Sequence, residues 1–348
     1  FGSCKLKETV DNIEAFAINV ATDKWVKGRG WIEREWTDEK RFLTRHDVDP
    51  FTTDKPLYMP RADGVSALVN SKALELAGIT KNSPDPVGGK FERDINGTPN
   101  GYILATAMNI FRDIIPPKTR EYIKDSLVQG MYENAKVGWT NTQDAGMPYV
   151  NVEIVKEIHA EGNMSTRIYA AANVMEASTM LKRGRETTAD NMFDLRGLKV
   201  YIDGTLGSRG AALLENYADA DHKGFMNRTA KQALDPILRA ALRKGIQVET
   251  HVIGDRAVRT LLDWYEEAFK AVPKSEWAVA EPRWRLEHAQ VITPQDQKRL
   301  VSLGILVSMQ PSHGIGDLNF APDRLGSKRL NYAYPWQQLI DRGLMILG

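Results

Sequence analysis

From about residue 120 the chain repeats one unit: a stretch with helical periodicity, a glycine, a short strand-like run and a loop. Helical spacing is carried by Ile123, Leu127, Met131 and Ala135, then by Leu234, Ile237, Leu238, Ala241 and Leu242, and again by Leu261, Leu262, Tyr265 and Phe269. The strand-like runs are "WTNTQD" (139–144), "RIYAAA" (167–172), "LKVYID" (198–203), "QVETHV" (247–252), "WRLEHA" (284–289), "ILVSMQ" (305–310) and "LMILG" (344–348). Gly138, Gly197, Gly245, Gly304 and Gly343 precede runs and are expected to end the helices before them. Repeats of this kind mean parallel strands joined by crossovers. Seven runs are visible where a closed (β/α)8 barrel needs eight. A first strand is expected just before residue 1, feeding a helix with apolar positions Val10, Ile13, Phe16, Ala17 and Val20. The alternative is an open doubly wound sheet, and the lack of a Gly-rich phosphate loop counts against it.

Residues 25–118 break this rhythm with "GRGWIEREW", several prolines and many turn signals. They read as an insertion after the first helix, folded over the active face, with "INGTPNG" (95–101) as a tight turn or hairpin. The expected organisation is therefore a first barrel helix over 1–24, an insertion subdomain over 25–118, and the rest of an α/β TIM-type barrel over 119–348. Residue 1 is not Met and the chain enters a helix almost at once, so it is expected to be a segment of something longer; "RGLMILG" at the other end reads the same way.

Charge and cysteine content narrow the function. A formal net charge of +1 without long basic or acidic blocks gives no footprint for nucleic acid or a membrane surface. No apolar stretch approaches a membrane span. One cysteine, Cys4, excludes an intrachain disulfide and a cysteine-based zinc cluster, and points to the cytoplasm.

In a parallel barrel, function collects at the C-terminal ends of the strands. That rule selects Asp144, Lys199 with Asp203, His251 with Asp255, Glu287 with His288, and Gln310 with His313. His251 and His288 end consecutive runs, which brings two imidazoles within reach of one cation; each taken alone would read as a hydrogen-bonded core histidine. Lys199 within a strand is costly unless it is paired, modified or solvated at the barrel mouth. His46, His159 and His222 are expected on surfaces or in loops.

"LRGLKVYIDGTLGSRGAALLENY", "GIQVETHVIGDRAV", "RLEHAQVITPQD" and "LVSMQPSH" together resemble the metal-dependent amidohydrolase superfamily, in its YtcJ-like (amidohydrolase 3) branch. "GRGWIEREW", "ADGVSALVNSKALELAGIT" and "GGKFERDINGTPNGYI" resemble that branch's insertion. The resemblance implies a carboxylatable lysine at Lys199 and histidine metal ligands at His251 and His288. It also implies a His-x-His that would precede Phe1, and a general-base aspartate that would directly follow Gly348. Asp203, Asp255, Gln310 and His313 become groups that orient ligands or line the pocket. The chain departs from the branch at Asp63-Gly64-Val65, where Asp-Gly-His is usual, so a substrate-facing imidazole is missing.

The implied activity is hydrolysis of a carbon–nitrogen bond in a non-peptide amide by metal-activated water, with one or two divalent ions, zinc first among them. Residues 1–348 alone are expected to be inactive. Two other readings stand beside it: a non-catalytic barrel scaffold or regulatory binding protein that has lost metal ligands, and a carbon–oxygen or carbon–halogen hydrolase. The expected partner is a small amide-like substrate, with neither nucleic acid nor membrane involved and a homodimer left open.

Overall fold

The computed structural model describes residues 3–347 except Asp23, Arg34, Glu35, Lys40, Asp63, Val65, Asn227 and Arg228, so the Asp63-Gly64-Val65 departure falls largely outside the described residues. Two compact units, Phe1–Lys118 and Thr119–Gly348, divide the chain.

The first unit runs α1 (Leu6–Ala17), β1 (Val26–Lys27), α2 (Arg45–Val48), β2 (Leu57–Pro60), β3 (Ser66–Val69), α3 (Ser71–Leu76), β4 (Gly89–Arg93), β5 (Pro99–Ala105) and α4 (Ala107–Ile114). Its sheet has the order β1-β2-β3-β5-β4, parallel only between β1 and β2. "INGTPNG" makes the β4–β5 hairpin, closed by Asp94 N–H to Thr98 O at 2.8 Å. Both faces are covered: Leu57, Met59 and Leu68 pack with Leu6, Ile13 and Ala17 of α1, while Tyr58, Ala67 and Val69 pack with Met108 and Phe111 of α4. Burial on two sides explains why these strands read as apolar runs rather than alternating ones. In α1 the buried stripe is Leu6, Thr9, Ile13 and Ala17. Phe16, expected on that stripe, lies one residue around the helix from Ala17 and is 55% exposed.

The second unit runs α5 (Arg120–Lys136), β6 (Asn141–Met147), α6 (Tyr149–Ala160), β7 (Arg167–Asn173), α7 (Ala177–Arg183), β8 (Glu186–Thr187), β9 (Phe193–Tyr201), α8 (Lys231–Lys244), β10 (Gln247–Val252), α9 (Asp255–Ala271), β11 (Arg285–His288), α10 (Pro294–Leu303), β12 (Leu306–Ser308), α11 (Pro311–Gly316), α12 (Ala321–Leu330), α13 (Trp336–Asp341) and β13 (Ile346–Leu347). Each of the seven runs becomes a parallel strand, in the unbroken order β13-β12-β11-β10-β9-β7-β6, and β8 adds antiparallel to β9. A doubly wound sheet would reverse its strand order at a switch point. This one never reverses, and its end strands β6 and β13 line one cavity, so the sheet is curled as in a TIM-type barrel. Outward residues such as Leu198, Val200, Val248, Leu286 and Val307 pack on the helices in one large core.

Gly245 and Gly304 end α8 and α10 in the left-handed conformation, as expected. Gly197 does not end a helix. It lies inside β9, where a Cβ would stand 2.7 Å from Ala171 Cβ and 2.5 Å from Glu249 Oε1, so close packing selects glycine there. No helix among the described residues is long and apolar enough to cross a membrane.

Gly254 and Gly304 separate two reasons for glycine. A Cβ on Gly254 would meet the Ala212 carbonyl oxygen at 2.0 Å, whereas one on Gly304 meets nothing within 4 Å. We expect Gly304→Ala to cost about 1 kcal/mol for its left-handed φ alone. Gly254→Ala should cost about 3 kcal/mol, because neither backbone can yield without displacing a strand end. Urea unfolding of the two variants checks the order; a Gly304→Ala loss equal to or larger than that of Gly254→Ala would contradict it.

Candidate functional site

Three neighbouring strands build the site. Parallel register sets Glu249 beside Lys199 on one side and Arg285 on the other, and sets His251 beside Tyr201 and Glu287. Alternation along each strand then stacks two inward layers, Lys199–Glu249–Arg285 below and Tyr201–His251–Glu287 above. A cavity of about 910 Å³ opens on these layers, lined by Lys199, Tyr201, Arg285, Glu287, His288, Ser308 and Gln310 together with the edges of β6 and β13. Its size suits a small organic ligand.

His288 breaks the alternation. Leu286, two residues earlier, is fully buried in the helix-facing core, so a regular strand would turn His288 the same way. Instead His288 has φ of 73° and Ala289 φ of 45°, two successive non-glycine residues in the left-handed region. This turn lets Glu287 and His288 line the same cavity. The imidazole meets that of His251 edge to face, with ring centroids 4.6 Å apart. Backbone strain of this kind needs support from its surroundings and collects at functional sites.

Hydrogen bonds orient both rings. Gln310 Oε1 accepts from His288 Nδ1 at 2.7 Å, which puts the proton on Nδ1 and the lone pair on Nε2. The Gly204 carbonyl accepts from His251 Nε2 at 3.2 Å. Burial lowers the His288 pKa, against the opposing pull of Gln310, and so favours the neutral ring that can ligate a cation.

Below the histidines the layer is ionic and almost dry. Arg285 pairs with Glu249 at 2.7 Å and with Glu287 at 2.5 Å, and its guanidinium lies 5.5 Å from the Tyr169 ring centroid. Burial pushes the Glu249 carboxyl up to about 7, with Arg285 pulling it back. Lys199 is 3% exposed, and its ammonium lies 4.9 Å from the Tyr201 ring centroid. Burial pushes its amine down to about 8, although Glu287 and Glu249 favour the charged form.

The remaining candidates divide between loop construction and the cavity. Asp203 is wholly buried; its carboxylate accepts from Ala212, Ile253 and Gly254 N–H groups at 3.1, 3.1 and 2.9 Å and lies 3.7 Å from His251 Nε2. It ties the loop after β9 to the turn after β10. Asp255 begins α9 and accepts from Leu214 N–H at 2.9 Å, pinning the same loop, and burial raises its pKa. Gln310 lines the cavity. His313 sits in α11 with its ring 5.6 Å from that of His288, and its buried Nδ1 has no hydrogen-bond partner. Asp144 is half-buried on β6, and burial raises its pKa. His46 pairs with Asp94 and His159 with Asp190 on the surface. Among the described residues no three His, Cys, Asp or Glu side chains come together as a metal shell.

Sequence reading missed two groups. Glu249 and Arg285 were accessible to it, because each stands two residues before a named candidate on the same strand face. The contact of Gln290 with Asp317 and Tyr334 spans 27 and 44 residues, and no local pattern announces it.

The amidohydrolase family model (Amidohydro_3) matches residues 4–348. YtcJ of Bacillus subtilis (strain 168) is 28% identical over 327 residues, covering 93% of this chain and 60% of that protein. The N-substituted formamide deformylase of Arthrobacter pascens is 27% identical over 322 residues, covering 89% and 58%. The chain thus spans about three-fifths of the length of these relatives. Among solved structures, an uncharacterized metal-dependent hydrolase from Pyrococcus horikoshii OT3 superposes with a TM-score of 0.75 at 22% identity, covering 99% of this chain and 65% of that one. A similar protein from Pyrococcus furiosus gives 0.73 at 22% identity, covering 99% and 66%. With the strand order and the family match over nearly its whole length in agreement, the chain belongs to the amidohydrolase family, in the branch of YtcJ.

Proposed function

We propose that the complete protein is a metal-dependent hydrolase of a carbon–nitrogen bond in a small non-peptide amide, with His251, His288 and Lys199 among the cation's ligands. The observation that carries this reading is the pair of imidazoles on adjacent strand ends, 4.6 Å apart, one of them aimed by a strained backbone. Neutral imidazole donors suit zinc. Among the described residues the buried Nδ1 of His313, whose ring lies 5.6 Å from that of His288, has no hydrogen-bond partner, which suits a polar ligand near the histidines. The name of the Arthrobacter pascens relative supports the carbon–nitrogen bond as the target.

A bound divalent cation supplies Lewis acidity, lowering the pKa of water toward neutrality and polarising a carbonyl. The chain's own residues do the rest. His251 and His288 would hold the cation, and Gln310 keeps the His288 proton on Nδ1. Two imidazoles and a lysine fall short of a full shell. The family resemblance implies further donors from a His-x-His and a general-base aspartate elsewhere in the complete protein.

Lys199 enters through its amine. With a pKa of about 8, roughly a tenth of it is neutral at pH 7, against roughly four in ten thousand for an ordinary lysine. Only the neutral amine takes up carbon dioxide, so burial prepares Lys199 for conversion to a carbamate. Uptake of carbon dioxide by the neutral amine releases one proton and leaves an anion, which a bound cation would neutralise in the complete protein. Residues 1–348 alone should keep Lys199 as an amine.

Metal analysis and an amide, ester and lactone panel on the complete protein test the reading. We expect bound divalent metal and fastest turnover of amides; no metal and no turnover would favour a non-catalytic scaffold or regulatory barrel. His251→Ala should lower hydrolysis by roughly a hundredfold or more while leaving stability nearly unchanged. A large stability loss with activity retained would make His251 a core histidine. Gln310→Leu should weaken metal affinity by about 10- to 100-fold. Intact mass with bicarbonate and zinc should show one added carbon dioxide on the complete protein, lost in Lys199→Ala. An active, metal-loaded and uncarboxylated protein would leave Lys199 without that role.

A further inference from the structure

The left-handed turn at His288–Ala289 needs something to hold it, and the holding groups converge on one carboxylate oxygen. On one side the turn is fastened to β10 and the residue after it: Ala289 N–H donates to Val252 O at 2.9 Å and Val291 N–H to Ile253 O at 3.0 Å. Gln290 lies between these anchors, 3% exposed, and its own bonds run to the other side. Its carbonyl accepts from Tyr334 N–H at 2.6 Å, and its amide donates to Asp317 Oδ2 at 2.6 Å. The Tyr334 hydroxyl donates to the same Oδ2, also at 2.6 Å. Tyr334 is itself left-handed, with φ of 47°. Ile292 N–H to Tyr332 O and a bridge between Val291 and Ala333 continue the seam.

Three strained non-glycine residues, His288, Ala289 and Tyr334, therefore sit within one small hydrogen-bonded cluster. Each such conformation costs roughly 1–2 kcal/mol, so none persists without outside support. The support comes from the long loop after β12. Gln310 at the start of that loop fixes the His288 ring, while Asp317 and Tyr334 further along fix the backbone from which the ring projects.

We infer that Asp317 is a positioning residue for His288, acting through Gln290 and Tyr334 to keep the imidazole turned into the cavity. The loop after β12 then grips His288 twice, at its ring and at its backbone. The inference rests on the reading of His288 as a working group of this cavity, but its test uses neither metal nor substrate.

The test reads the His288 ring by nitrogen-15 NMR in the metal-free full chain, with its signals assigned through His288→Gln. In the unchanged protein the proton should sit on Nδ1 and exchange slowly with water. In Asp317→Ala that exchange should rise by roughly tenfold or more, as expected on loss of a charge-assisted bond, with the two tautomers mixing. Asp317→Asn keeps an acceptor oxygen and should restore most of the effect. Tyr334→Phe removes only the hydroxyl and decides the matter if Asp317→Ala fails to fold. Ile158→Ala loosens the main core of the second unit at α6, which packs on α5 and β9 rather than on this loop, and serves as the destabilising control. An unchanged His288 signal in Asp317→Ala and Tyr334→Phe would overturn the inference. So would an equal change in Ile158→Ala. Because the readout is made without metal, absence of metal binding in the complete protein would sink the proposed function and leave this result standing.

Discussion

Arg285 stands between Glu249 and Glu287 on the concave side of the sheet, and the polar site depends on that pairing. Inward positions of a parallel barrel are ordinarily filled by branched apolar side chains. Here adjacent strands place Lys199, Glu249 and Arg285 in one layer, all nearly inaccessible to water. Two carboxylates and one guanidinium can share such a place only while they satisfy each other; removing one partner would leave a buried charge uncompensated. The balance also reaches Lys199. Its two nearby carboxylates favour the charged amine, burial opposes them, and burial prevails.

Above this ionic layer the same strands carry the imidazoles, and two forms of support hold them. His251 follows the ordinary alternation of β10, and the buried Asp203 carboxylate draws in the backbone of the turn after it. That drawing-in presses Gly254 against Ala212 so closely that no side chain fits. His288 leaves the alternation of β11 and relies on strained backbone, with Gln310, Gln290, Asp317 and Tyr334 around it. The contrast follows from position: a ring already on the inward face needs only its turn fixed, whereas one brought in against the pleat needs its φ held as well.

Much of this was legible in the amino-acid order. The seven parallel strands, the helices α5, α8 and α9 and the helix-ending Gly245 and Gly304 follow from period and punctuation. Alternation puts Lys199, Tyr201 and His251 on inward positions without any knowledge of contacts. Gly197 was misread because a glycine before an apolar run also marks a tight approach between strands, and the distinction lies in Ala171 and Glu249, far away in the chain. His288 was named as a strand-end histidine, yet strict alternation would have turned it away from His251. Its left-handed φ is enforced by residues from another loop, so no local pattern encodes it. The Asp317 cluster was invisible for the same reason.

In the proposed reading His251 and His288 would bind one cation through nitrogen, the pairing suggested by their imidazoles 4.6 Å apart. X-ray absorption at the zinc edge of the complete protein measures this directly. The spectrum should show a shell of nitrogen and oxygen donors with imidazole scattering, one imidazole contribution disappearing in His288→Ala and one in His251→Ala. Sulfur scattering, or an imidazole contribution unchanged in both variants, would contradict that reading.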